Sequence, residues 1–244
     1  MNDTGRMGIG LVGDSYAGVV IAQALGAAGH AVVGRTIPPE ERRESVEAAL
    51  PAVPVLELDE LIRRSEMVIL AAEADALDAL VELIAGRQLA VSGQLFVHLA
   101  LDRPLSALKA LSESGVIPLR LYPLLPLTRT SLDLSLLRGG WCAVSAPAPV
   151  LPIAEALAIE MGLEPLVITD EIQDTFSSVV KELNYSSMDF VSHAINEWED
   201  YGIDNAAPAL AALARASVER VLRERTSFGE HAILDALKER DVDD

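Results

Sequence analysis

The sequence predicts an α/β protein: a doubly wound, mostly parallel sheet followed by a smaller all-α domain. Three observations predict it. Through the first two thirds, short continuous apolar runs such as "MVILAA" alternate with amphipathic helical patterns, the signature of strands covered on both faces. The first of these runs leads through a glycine-bearing turn into a helix. From about Asp170 onward, strand signals stop altogether.

In chain order, "MGIGLV" reads as a first strand and is followed by a helix from about Ser15 to Ala28. "HAVVGR" is a second strand. The next stretch, "PPEERRESVEAAL", is helical, and its two prolines suit a helix's first turn. "VPVLEL" is a third strand and "LDELIRRS" a short helix. "MVILAA" is the fourth strand, and "ADALDALVELIAG" a helix that ends in glycine. "GQLFVHLA", "PLSALKALSESG" and "VIPLRLYP" complete the series as strand, helix and strand. Past Pro123 the rhythm loosens, with "GGWCAVSA" and "EPLVIT" as strands around the helix "VLPIAEALAIEMG". Beyond them one long helix covers "DEIQDTFSSVVKELNYSSMDFVSHAINEWEDYG". A second covers "NAAPALAALARASVERVLRER", and "GEHAILDALKER" is a last short one. The predicted boundary therefore falls near residue 169, giving domains at 1–169 and 170–244. There are no internal repeats or low-complexity linkers.

At 244 residues, half of them hydrophobic, the chain has material for a sizeable core and is not disordered by composition. No apolar run reaches the roughly 18 to 20 residues that span a bilayer, and "MNDTGRM" carries no secretory signal core. The single cysteine, Cys142, forms no internal disulfide and fits a reducing compartment. A soluble, cytoplasmic protein is expected. A formal charge of -18 argues against nucleic acid and anionic membrane as partners, because phosphate binding needs concentrated Lys and Arg. One cysteine and four scattered histidines supply no metal constellation, and neither a G-x-S-x-G elbow nor a phosphate-binding G-x-x-x-x-G-K-[ST] loop occurs.

The turn in "GIGLVGDSYAG" has two possible frames. Gly8, Gly10 and Gly13 spell G-x-G-x-x-G, but only "MNDTGRM" precedes them, and that is no strand. The frame Gly13-Asp14-Ser15-Tyr16-Ala17-Gly18 has "MGIGLV" before it and a helix after it, as a dinucleotide-binding turn requires. In that frame Gly13 makes the tight turn and Gly18 allows close helix-to-strand packing. Ser15 stands where a glycine ordinarily admits the pyrophosphate, and Asp14 adds a negative charge beside it. Ser15 could instead cap the helix or touch a phosphate oxygen. At the end of the second strand, where NAD sites place an acid, the chain has Arg35 and Thr36. Arg35 matches the guanidinium that holds a 2′-phosphate, the alternative being a plain surface arginine. A bound dinucleotide would then be NADP(H) more readily than NAD(H). Gly13, Asp14, Ser15, Tyr16, Gly18, Arg35, Thr36 and Ala72 form the expected cofactor set, and an empty pocket is the alternative.

The run from "IGLVGDSYAGVVIAQALGAAGHAVVGRT" through "MVILAAEADALDALVELIAG" to "GQLFVHLA" resembles the two-domain Rossmann-like family of the 6-phosphogluconate dehydrogenase-like superfamily. Its relatives include ketopantoate reductase, pyrroline-5-carboxylate reductase and β-hydroxyacid dehydrogenases. The resemblance covers roughly residues 7–169. It implies an N-terminal dinucleotide domain and a helical domain that closes the active site and often builds a dimer. Three departures stand out. The family tends to read His-Thr-Ser-Gly after the fifth strand, where this chain has His98-Leu99-Ala100-Leu101. It reads His-Pro after the sixth, against Tyr122-Pro123 here, and the glycine turn lacks its middle member. All three fall at the carboxyl ends of strands, where open α/β sheets bind ligands. Their clustering suggests a repurposed site.

In β-hydroxyacid dehydrogenase relatives a lysine and an asparagine open the helical domain. The resemblance points to Lys181 and Asn184, at i, i+3 on one helix face and one residue closer than usual. Lys181 would move the proton at the substrate oxygen, or else is an exposed helix lysine. His98 and Tyr122, at strand ends, are the other catalytic candidates, His98 as general acid or as orienter of a substrate carboxylate. His30 reads as structural, and His193 as one half of a helix-surface pair with Asp189. Two functions remain open. One is an NADP(H)-dependent reductase or dehydrogenase of a small carbonyl, imine or hydroxy acid. The other keeps the fold without redox turnover, performing a cyclisation or isomerisation or acting as sensor or scaffold. The small-residue stripe in "APALAALARASVERVL" predicts a homodimer through the helical domain.

Overall fold

In a computed structural model, which describes residues 6–127 and 133–228, seven strands form one sheet. They are β1 (Gly8–Gly13), β2 (Ala31–Arg35), β3 (Met67–Ala71), β4 (Leu95–His98), β5 (Ile117–Pro123), β6 (Trp141–Ser145) and β7 (Glu164–Val167). Their order is β2-β1-β3-β4-β5-β6-β7, and every neighbouring pair is parallel except β5 with β6. The chain moves outward one way from β1 to β2, then returns past β1 to build the rest. The carboxyl end of β1 therefore lies at the switch point where doubly wound sheets form a crevice. The predicted α/β fold class is the observed one.

The helices are α1 (Tyr16–Ala27), α2 (Glu40–Ala49), α3 (Leu58–Arg64), α4 (Ala74–Gly86), α5 (Lys109–Ser112), α6 (Asp133–Leu137), α7 (Leu151–Glu160), α8 (Gln173–Asp200) and α9 (Ala206–Phe228). Alternation along the strands divides the buried side chains into two cores. Ile9 and Leu11 of β1, Ile69 of β3 and Val97 of β4 meet α1 and α7 on one face. Val12, Val68, Leu70 and Phe96 meet Leu61 and Ile62 of α3 and Leu77, Val81 and Ile84 of α4 on the other. With both faces covered, β3 is buried from end to end.

Two local expectations are corrected. "VPVLEL" is not a strand: Val55 makes a single parallel bridge with Arg35, flanked by the bonds Arg35 N to Pro54 O and Leu56 N to Arg35 O. Pro54 brings no N–H to a ladder, and the chain turns into α3 at Leu58 before pairing can extend. "PLSALKALSESG" is a 3₁₀ turn at Leu105–Leu108 followed by the single turn α5, and α6 was not foreseen. The expected helix "GEHAILDALKER" lies outside the described residues.

The chain divides into two compact units, Met1–Ser178 and Val179–Asp244, the division falling inside α8. In the second unit, Leu183 and Phe190 of α8 are 70% and 73% exposed, and Leu213 and Val218 of α9 are also exposed. Among the described residues no helix is long and apolar enough to cross a membrane, and no group of His, Cys, Asp and Glu could hold a metal ion.

Candidate functional site

The turn between β1 and α1 is built around residues with little steric freedom. Gly13 has φ +92°, and a Cβ there would come within 2.5 Å of the Ala71 carbonyl oxygen, so only glycine fits. Ser15 caps α1: its hydroxyl accepts from Gly18 N at 3.3 Å, while its own N–H donates to Ala71 O at 2.8 Å. At Gly18 an added methyl would run into Ala71. The turn is thus the frame from Gly13 to Gly18. Gly8 and Gly10 lie inside β1, where a side chain at Gly10 would strike the Ser65 hydroxyl.

Around this turn the end of β2 supplies two polar side chains. Thr36 Oγ1 accepts from Gly13 N at 2.9 Å and so fixes the turn. Arg35 is only 3% exposed; its Nη2 lies 3.8 Å from Glu47, and its Nε and Nη1 have no hydrogen-bond partner. It is not a surface arginine. Its orphaned buried donors beside a glycine turn are of the kind a phosphate would satisfy, so these residues fit a phosphorylated ribose. Arg42, on α2, reaches back with Nη1 to the Asp14 carbonyl at 2.5 Å and to its carboxylate at 3.3 Å. The ion pair offsets the negative charge that sequence reasoning placed beside a diphosphate. That reasoning passed over Arg42, since one basic residue in "EERRE" carries no signal of where it points. Tyr16 opens α1, and Ala72 follows β3, both half-buried against the cores.

At the carboxyl end of β4 and the middle of β5 the structure brings together a second group. His98 and Arg120 are register partners, and they project from the face that carries Phe96. Both are wholly buried; Arg120 Nε, Nη1 and Nη2 have no hydrogen-bond partner, and the His98 ring has at most the Pro104 carbonyl as a weak acceptor. Burial, then the nearby guanidinium, hold His98 neutral, with its pKa lowered to about 3; the Pro104 carbonyl and Asp170 pull weakly the other way. Burial lowers Arg120 to about 10, against the attraction of Asp170. The Phe176 ring, at the start of α8, lies 5.3 Å from Arg120 Cζ. Cys142 on β6 is buried and its thiol is pushed up to about 12 by that burial, so it is no nucleophile. Tyr122, two residues beyond Arg120 and half-buried, pairs across β6 with Ala143.

Lys181 and Asn184 are exposed residues of α8 in the second unit. His30 is a tie between elements: its Nδ1 accepts from Met7 N at 3.1 Å and its Nε2 donates to Glu160 at 2.7 Å. His193 lies 4.0 Å from Glu197, so its ion-pair partner is that residue and not Asp189. Sequence reasoning missed Arg120. The available signal was a lone arginine in an otherwise apolar strand run.

A family model described as a Rossmann-like domain matches residues 2–123. No curated protein matches the sequence. Among solved structures, the chain is similar to a 1-pyrroline-5-carboxylate reductase from Streptococcus pyogenes, at 19% identity and TM-score 0.66, covering 95% of this chain and 85% of that one. It is similar to a Plasmodium falciparum pyrroline carboxylate reductase with NADP bound, at 11% identity and TM-score 0.63, with coverages of 93% and 82%. An imine reductase from Myxococcus stipitatus in complex with NAD+ aligns at 14% identity and TM-score 0.61, over 91% and 76%. At such identities the likeness shows a shared fold.

Proposed function

The chain belongs to the Rossmann-like domain family, and on that premise we propose that it is an NADP(H)-dependent reductase or dehydrogenase of a small carbonyl, imine or hydroxy acid. The observation that carries this reading is Arg35, buried with unpaired donors at the end of β2 and next to the Gly13 turn. Gly13, Asp14, Ser15, Tyr16, Gly18, Thr36 and Ala72 complete the set assigned to the dinucleotide. When bound, the nicotinamide supplies or accepts the hydride. The chain's own part is to orient and to manage a proton. We assign Lys181 to the proton at the substrate oxygen, with Asn184 beside it on α8, and His98 and Tyr122 to the strand ends. His98, being neutral, contributes a ring nitrogen and no charge. The preference for NADP(H) is tested by calorimetric and fluorescence titration. NADPH should bind more tightly than NADH, and Arg35→Ala should narrow the gap at least about tenfold, the worth of a charge-assisted contact. Absence of heat and fluorescence change with either nucleotide would end the reading.

A second reading, a non-redox enzyme or binding protein on the same scaffold, is favoured by one observation. The amides of Gly13, Ser15 and Gly18 already donate to Thr36, Ala71 and Ser15, leaving few for a diphosphate. We further propose a cytoplasmic homodimer formed through the helical segment, supported by the exposed Leu183, Phe190, Leu213 and Val218. Light scattering at micromolar concentration should return twice the chain mass, and a monomer would refute it.

A further inference from the structure

Arg120 is the hardest group in this molecule to account for as scaffold. A guanidinium with five N–H donors lies wholly buried, and none of its nitrogens has a hydrogen-bond partner. What compensates it is the face of Phe176 at 5.3 Å, the field of Asp170 and a neutral imidazole opposite. A ring face is a weaker partner for a desolvated cation than an anion is. An apolar side chain of that size would pack the position more favourably, so a use for the charge must be sought.

The cover over Arg120 is tied down by a few polar bonds. Gln173 Nε2 donates to Leu101 O at 2.6 Å, and the Asp170 carboxylate accepts from Leu105 N at 2.8 Å and Ser106 N at 3.1 Å. The two bonds at Asp170 are exposed to solvent, where water competes for them. Phe176 itself is half-buried, and its ring is the part of this cover that lies against the guanidinium.

We propose that Arg120 anchors a closed site for a small organic carboxylate, and that the Phe176 ring holds the ligand's place until it arrives. The guanidinium fork matches a carboxylate through two parallel N–H···O bonds. The slot left by a phenyl ring is flat, which suits a planar acid and not a tetrahedral phosphate. Asp170 nearby tolerates one negative charge better than two. His98, neutral and beside the guanidinium, would present a ring nitrogen to the atom next to the carboxylate. The inference rests on the reductase reading in that it assigns the substrate class, yet it is tested without nucleotide.

Benzoate combines the ring and the charge, and benzamide is its neutral counterpart. Calorimetric titration of the full chain should show benzoate binding at least about tenfold more tightly than benzamide, the scale of a charge-assisted pair. Arg120→Met should remove that preference and raise the melting temperature in plain buffer, because a buried and weakly compensated charge is gone. Phe176→Ala should tighten benzoate about tenfold, since the competitor is lost. The proposal is overturned if benzoate and benzamide bind alike, or if neither the wild type nor Phe176→Ala binds benzoate. It is also overturned if the preference survives Arg120→Met, or if inorganic phosphate displaces benzoate at equal concentration. A chain that prefers benzoate but ignores NADPH would lose the reductase reading and keep this site; the converse would lose only the site.

Discussion

His98 makes stability depend on pH in a way that can be worked from the structure. Free in an unfolded chain, its imidazole takes a proton near the ordinary 6.5, whereas in the folded protein burial and Arg120 hold that pKa down to about 3. Between these values the unfolded state binds more protons than the native state, so stability rises with pH across the window. The contribution is fully present above about 6.5 and is lost as pH falls toward 3. Each pH unit inside the window is worth about 1.4 kcal/mol. From pH 7 to pH 5 the integrated loss is about 2 kcal/mol, at a pH where most carboxylates are still ionised. The assay is urea unfolding at both pH values for the wild type and His98→Gln, whose amide does not titrate. The wild type should lose about 2 kcal/mol more than the variant. Parallel losses would mean that the native imidazole protonates with the help of a partner, and the picture of an uncompensated His98–Arg120 pair would fail.

Two further perturbations address the glycine turn. Gly18→Ala places a methyl against Ala71 between α1 and β3, where neither backbone can yield cheaply, so a loss of about 1–3 kcal/mol is expected in urea unfolding; an unchanged midpoint would deny the close packing. Arg42→Gln frees Asp14 to repel the diphosphate and should weaken NADPH several-fold while leaving stability within about 0.5 kcal/mol, as for other partly exposed ion pairs; equal affinity in titration would show that Asp14 does not face the nucleotide.

The doubly wound sheet was legible because its strands are buried on both faces and therefore read as unbroken apolar runs. The same property made "VPVLEL" read as a strand, since composition alone carries no trace of Pro54's missing donor meeting an immediate helix start. The turn's true frame was legible for a geometric reason. A glycine turn must follow a strand, and at Gly10 it is tight packing against Ser65, and not ligand approach, that excludes a side chain. Arg42 was not legible, because the direction of a side chain on a charged helix depends on which loop lies beneath it.

Arg120 shows what a fuller use of the same logic would have found. If β5 is covered on both faces, then a charged residue between Leu119 and Leu121 has no route to solvent through either layer. The sequence thus implies a buried cation, and a buried cation demands an anion, a change of protonation or a function. Arginine does not deprotonate near neutrality even with its pKa lowered to about 10, and among the described residues Asp170 acts on it only through its field, with no hydrogen bond to the guanidinium. What the proposal adds is a ligand whose charge completes the site, beside the carboxyl end of β4 where His98 stands. Strand pattern and charge together therefore point to the position that motif matching, tuned to His98 and Tyr122 on either side of it, stepped over.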